Sequence, residues 1–241
     1  MPDPAIRFLD AGEAALVVEF GDTVDRAISD RVLGLDAALG ALVLDGIVEC
    51  VPTYRSLMIH YDPLVLERAE LVRAVEGALA ANRAGTAPEG RNWLLPCCYD
   101  GAHGEDLVEL AALLGLTPDE VVRIHGAASY RVYMCGFAPG YTYLGEVPSA
   151  LAVSRRPVPR PPHPAGAVLL GGGLGAVASC AMPTGWYVIG ATPERLFAPE
   201  RDRPFLFQAG DSLRFAAVDT AEFATLAARV QAGERVAREV A

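Results

Sequence analysis

Apolar residues cluster over positions 6–9 and 14–20 with Asp10, Ala11, Gly12 and Glu13 between them, a pattern that predicts a β-hairpin. Gly21, Asp22 and Thr23 end it and offer a helix cap. Val24, Ile28, Val32, Leu35 and Leu39 then recur at spacings of three and four, so they share one face of an amphipathic helix that Gly40 stops. Strands are predicted over 47–52 and 56–61, joined through Thr53, Tyr54 and Arg55. Asp62 reads as the cap of a second helix with Pro63 in its first turn and Val65, Ala69, Val72, Val75 and Leu79 on one face. The order ββαββα predicts a small layer with strands on one side and helices on the other. Gly85, Pro88 and Gly90 mark a connection, placing an N-terminal α+β domain at 1–84, a linker at 85–90 and a second domain at 91–241.

The second domain reads differently. A strand over 92–98 leads to a helix near 105–114. Thr117, Pro118 and Glu120 then form a helix start, with threonine as cap, proline first and glutamate three residues after the cap; that short helix ends at His125 and Gly126. From 129 to 217 short apolar segments, among them 129–135, 168–170, 186–189, 206–208 and 213–216, are separated by proline and glycine, which predicts a β-barrel or sandwich. A last helix is expected near 220–230, followed by a charged tail. The stretch 136–145, Gly-Phe-Ala-Pro-Gly-Tyr-Thr-Tyr-Leu-Gly, carries three glycines, a proline and three aromatic rings, so it is expected to be a rigid irregular loop. Such a loop plugs a barrel end or walls a pocket.

Composition narrows the chemistry. The net charge of −10 argues against general affinity for nucleic acid or an anionic membrane. All 20 basic residues are arginine, which excludes a phosphate-binding loop lysine, a Schiff base and a kinase strand lysine within this chain. Cys50, Cys97, Cys98, Cys135 and Cys180 have no C-x-x-C spacing and suit free thiols in a reducing compartment. His60, His103, His125 and His163 lack ligand-pair spacing, so no metal site is expected. The first residues carry no basic and apolar leader pattern, and no run of about 20 apolar residues occurs; a cytoplasmic protein is expected.

Several motifs follow one another in a fixed order: Gly12-Glu13-Ala14-Ala15-Leu16, Tyr54-Arg55-Ser56-Leu57, His60-Tyr61-Asp62-Pro63, Leu95-Pro96 and Ile124-His125. The 136–145 stretch, Pro159-Arg160, Pro164-Ala165-Gly166, Gly185-Trp186 and Thr192-Pro193 continue the series. Together they resemble the family of allophanate hydrolase subunit 1, the B component of 5-oxoprolinase and the sporulation histidine-kinase inhibitor. The resemblance implies an α+β fold, a small N-terminal α+β domain followed by a cyclophilin-like β-barrel. It implies a partner of the type of allophanate hydrolase subunit 2 or the C component of 5-oxoprolinase, and a small carboxylate or amide substrate. In 5-oxoprolinase relatives, ATP used by the complex drives opening of 5-oxoproline to glutamate, with no cofactor bound by this chain alone. In urea amidolyases a similar pair of modules forms a carboxyltransferase served by biotin on another domain, and in the kinase-inhibitor version the fold binds a histidine kinase without catalysis.

This chain departs from the family pattern where a Gln-Thr pair and a tyrosine usually precede the Gly-Trp element: it has Leu174-Gly175-Ala176-Val177-Ala178-Ser179, and Ala191 stands where arginine is frequent. These losses leave an apolar wall. Among candidates, Arg160 matches the family's Pro-Arg and is a carboxylate clamp or a loop anchor, with Arg155 and His163 beside it in the same proline-rich connection. His125 matches Ile-His and is a general base or a helix C-cap. Tyr141 and Trp186 stack on a ligand or pack the barrel, and Arg55 faces a partner or a site in the first domain. The glycines at 171–173 and 175 mimic a dinucleotide fingerprint but lack the helix that must follow it. The leading expectation is a subunit of an ATP-dependent amidohydrolase, of the kind of the 5-oxoprolinase B component.

Overall fold

The computed structural model of the chain describes residues 6–82 and 87–240. The expectations for the leader and for linker positions 85 and 86 lie outside the described residues. The chain divides between Glu89 and Gly90 into two compact units.

In the first unit β1 (Arg7–Asp10) and β2 (Ala15–Glu19) form the hairpin, with Arg7 opposite Glu19. α1 (Arg26–Leu42), β3 (Ile47–Pro52), β4 (Ser56–Tyr61) and α2 (Arg68–Ala81) follow, and the antiparallel sheet runs β1-β2-β4-β3. Strand alternation sends Leu16, Val18, Leu57, Ile59 and Tyr61 into one core with Val32, Leu35, Leu39, Leu71, Val75 and Ala78 of the helices. Both helix starts differ from expectation. Asp25 caps α1, accepting from Ile28 N at 3.1 Å, so Val24 precedes the helix and is exposed. The helix runs through Gly40 to Leu42, because an interior glycine costs only about 1 kcal/mol and burial of Leu39 outweighs it. The Asp62 carboxylate closes a turn by accepting from Leu64 N at 2.9 Å, and α2 starts only at Arg68 with Leu71, Val75 and Ala78 as its buried stripe.

The second unit opens with β5 (Asn92–Cys98), a 3-10 turn (Gly101–Gly104), α3 (Leu107–Leu114) and α4 (Pro118–Ala127). The capping box at Thr117 and Glu120 is present as expected. β6 (Tyr130–Cys135), β7 (Thr142–Gly145), β8 (Arg160–His163), β9 (Ala167–Gly171), β10 (Leu174–Val177), β11 (Met182–Thr184), β12 (Tyr187–Ala191) and β13 (Ser212–Val218) follow, then α5 (Thr220–Gln231) and β14 (Arg238–Val240). Seven strands run β12-β9-β10-β7-β6-β13-β5, and β12 returns to β5 at Ala191 and Cys98 to close a barrel. β5 lies parallel to β13; its other edge is shared, with β14 covering Asn92 to Leu94 and β12 meeting Cys98. β8 and β11 form a separate two-stranded ribbon.

A cluster drawn from all seven strands fills the barrel, with Leu95, Val132, Leu144, Leu170, Val177, Ile189 and Leu213 among its members. Leu107, Leu110 and Val121 of α3 and α4 join it, so helices serve as the plug. The alternate residues of three strands, Leu169, Ala176 and Val188, form a second cluster with Tyr141, Met182 and Trp186 on the opposite, outer face. Two strand expectations need correction. Residues 142–145 are β7, a central strand between β6 and β10, because Thr142, Tyr143 and Leu144 favour pleated backbone and Gly145 lets Tyr133 lie on it: a Cβ there would stand 2.3 Å from Tyr133 Cε2. Residues 206–208 form no strand; Leu206 and Phe207 are apolar because they enter the interior core. The charged tail contributes β14, a strand that its composition does not predict. Gly172 and Gly173, at φ +62° and +74°, turn β9 into β10, so no helix follows the glycines.

Candidate functional site

The proline-rich connection before β8 is tied down by one carboxylate. Asp106, the N-cap of α3, is fully buried; its Oδ2 accepts from Val188 N at 2.8 Å, and its Oδ1 accepts from Arg156 Nη1 at 3.1 Å and Arg160 Nε at 2.9 Å. Arg156 also reaches Glu109 at 2.8 Å and Arg160 reaches Glu105 at 2.7 Å. A buried carboxylate is stable only with such donors around it. Arg156 N donates to Gly185 O at 2.7 Å and Arg160 lies opposite Thr184, so the run from Arg155 to His163 is held in register along the chain that leads to Trp186. The Arg160 guanidinium is engaged by Asp106 and Glu105.

His125 also needs correction. It sits in the last turn of α4, 1% exposed, with its ring centroid 4.4 Å from that of Phe215 and 5.0 Å from that of Tyr130. Its Nδ1 is 2.7 Å from Tyr99 Oη. Burial drives its pKa down to about 3. The ring is a neutral member of the interior packing, held among Tyr99, Tyr130 and Phe215. Three of the thiols are poor nucleophiles: burial pushes Cys50 and Cys135 up to about 11 and raises Cys97 further.

The remaining barrel candidates meet on the outer face. Gly136 to Tyr141 is the irregular part of the aromatic stretch, closed by Gly136 N donating to Tyr141 O at 3.0 Å. Its tip residue Phe137 takes φ +74° while 80% exposed. From it a row of rings runs inward: Phe137 to Tyr141 at 5.7 Å between centroids, Tyr141 to Tyr143 at 4.8 Å, Tyr143 to Trp186 at 6.3 Å. Trp186 packs on Gly171, where a Cβ would stand 2.7 Å from its Cγ. The guanidinium of Arg155 stands 5.8 Å from the Trp186 centroid, its stem crossing the Gly172 turn. Burial raises the pKa of both phenols, and the charge of Arg155 acts on each to lower it. Arg155 is exposed and has no carboxylate partner among the described residues.

His163 lies on the two-stranded ribbon. It is 1% exposed, and it pairs across the β8–β11 ribbon with Met182, a member of the outer cluster. Thus Tyr141, Arg155, His163 and Trp186 belong to one neighbourhood, and Arg160 starts the strand that carries His163. Arg55 belongs to the first unit, where it donates to Asp22 O at 2.6 Å and braces the chain after β2. Among the described residues no group of three or more His, Cys, Asp and Glu is placed to hold a metal ion. No helix among them is long and apolar enough to cross a membrane. Asp106 does not stand out in the sequence because an acid before a helix reads as a cap; the signal for it is three arginines in a short connection of an acidic protein, which need countercharges.

Residues 6–207 match the family described as carboxyltransferase domain, subdomain C and D. The B component of 5-oxoprolinase from Bacillus subtilis (strain 168) is 33% identical over 222 residues, covering 88% of this chain and 92% of that protein. The B component of 5-oxoprolinase from Escherichia coli O157:H7 is 38% identical over 208 residues, covering 85% and 92%. The crystal structure of TTHA0988 superposes with a TM-score of 0.75 at 35% identity over 85% of this chain, which spans 40% of that longer one.

Proposed function

Since this chain belongs to the carboxyltransferase domain C and D family, with 5-oxoprolinase B components among its relatives, we infer that it is a subunit of a 5-oxoprolinase complex. The complex hydrolyses a small cyclic amide: water adds to the ring carbonyl, the C–N bond breaks and the nitrogen takes up a proton. The substrate is 5-oxoproline, the partner is a second barrel-rich subunit, and ATP is used by the complex rather than by a lysine phosphate loop in this chain, which has no lysine.

One observation carries the assignment of the site. Arg156 and Arg160 each reach two carboxylates, whereas Arg155, beside them, stands over Trp186 with none. A guanidinium held on an aromatic face in an acidic protein is a receptor for a carboxylate. The flat ring of the substrate lies along Tyr141, Tyr143 and Trp186, which offer broad apolar faces. Arg155, already a candidate for substrate binding, takes the carboxylate-holding role expected of Arg160.

The test is the complex reconstituted from this chain and the chains that co-purify with it, assayed for ATP-dependent glutamate formation from 5-oxoproline. R155A is expected to raise KM on the order of 10–100-fold with kcat little changed, as for loss of a charge-assisted hydrogen bond made in both ground and transition states. An unchanged KM removes the site. Absence of glutamate in the wild-type assembly removes the function.

A further inference from the structure

His163 has one nitrogen accounted for and one not. Its Nδ1 lies 2.8 Å from the carbonyl oxygen of Pro164. A carbonyl only accepts, so Nδ1 carries the proton, and in the neutral ring Nε2 presents a bare lone pair. That Nε2 is buried with no hydrogen-bond partner. Such an atom costs free energy unless something donates to it. The hydroxyl of Ser179, on the connection between β10 and β11, does not serve, since its own Oγ is buried without a partner.

The ring's direction follows from the ribbon. Residues directly opposite in an antiparallel pair send their side chains to the same side. His163 is opposite Met182, and Met182 packs in the outer cluster with Tyr141 and Trp186. The lone pair is therefore an acceptor on the apolar side of the patch whose exposed end carries the unpaired Arg155.

We propose that His163 Nε2 accepts a hydrogen bond from the ring N–H of the bound lactam, making His163 the residue that distinguishes a cyclic amide from other cyclic carboxylates. This rests on the reading above that the patch holds the substrate. A five-membered lactam acid offers two features in one small flat body, an anionic carboxylate and an N–H donor. Arg155 complements the first and His163 the second. His163 positions and selects; the lone pair stays hydrogen-bonded and takes no proton from the amide.

The experiment compares two ligands on the assembled complex: 5-oxoproline and the lactone analogue in which the ring N–H is replaced by oxygen. The analogue keeps the carboxylate and ring carbonyl but turns a lone pair towards Nε2. The wild type is expected to bind the lactam on the order of 10–100-fold more tightly. H163L, apolar and close in size, brings the two to within about threefold, and H163N, whose side-chain carbonyl accepts, restores part of the preference. Equal assembly of each variant with the co-purifying chains serves as the fold control. A preference unchanged in H163L overturns the proposal. So does a wild type that takes both ligands alike, which would assign the Nε2 position to a buried water. Binding of neither ligand by the wild type, or of both without effect from R155A, overturns the site itself.

Discussion

At the scale of single residues, the barrel hides its titratable groups rather than displaying them. His125 titrates near 3 in the folded chain against an ordinary value of 6.5, so the unfolded chain binds the extra proton between those values. Its contribution is intact above pH 6.5 and falls as pH drops through that window, by up to about 1.4 kcal/mol per pH unit. Urea midpoints measured between pH 7 and 5 are expected to decline in the wild type and to decline less in H125L. Asp106 is the converse, a buried charge whose partners depend on it. D106A leaves Val188 N without its acceptor and takes one of two carboxylates from each of Arg156 and Arg160; it is expected to cost about 3–5 kcal/mol in denaturant unfolding, with D106N costing less because an amide oxygen still accepts. Neither residue's role is visible in the chain alone. His125 stands out through its neighbours in sequence, and what decides its role is Phe215, Tyr130 and Tyr99, brought from elsewhere.

At the scale of elements, legibility follows locality. β3, β4 and β5 begin and end where alternation and turn residues place them, and α4 begins at its capping box. Elements that depart from the pattern have their cause at a distance. Gly145 looks like a breaker, yet it is the residue that lets Tyr133 cover β7. G145A is expected to cost about 1–3 kcal/mol, read as a lowered denaturation midpoint, because the methyl has no room beneath the ring. One departure is local: Pro63 suggests a helix start, but Asp62 turns its carboxylate to Leu64 N two residues on, and α2 begins only at Arg68. Phe137 is the opposite case, a strained position that pattern does not reveal. An exposed phenylalanine at φ +74° holds about 1–3 kcal/mol of strain, so F137G is expected to raise the melting temperature while removing the outermost ring of the row.

At the scale of the whole molecule, the class of fold is readable, a small α+β unit and then a barrel, because many short apolar segments between prolines and glycines permit few other architectures. The proposed site is half readable. Trp186, Tyr141, Arg155 and His163 are picked out by residue type, but which arginine stays free depends on where Glu105, Asp106 and Glu109 fall. Barrel closure shows the same dependence on close approach. A Cβ on Gly190 would stand 2.7 Å from Cys97 Sγ and 2.9 Å from Cys98 O, beside the single pairing of β12 with β5.

The shared edge of β5 also sets a timetable. β5 is the first strand of its unit to leave the ribosome, and its neighbours β12, β13 and β14 are all made much later. Until they emerge it has no partner on either side, and Trp93 and Leu95 have no core to enter. A growing chain of this protein thus carries its barrel unfolded through most of its own synthesis, exposed to chaperones and proteases, while the locally paired strands of the first unit are already complete.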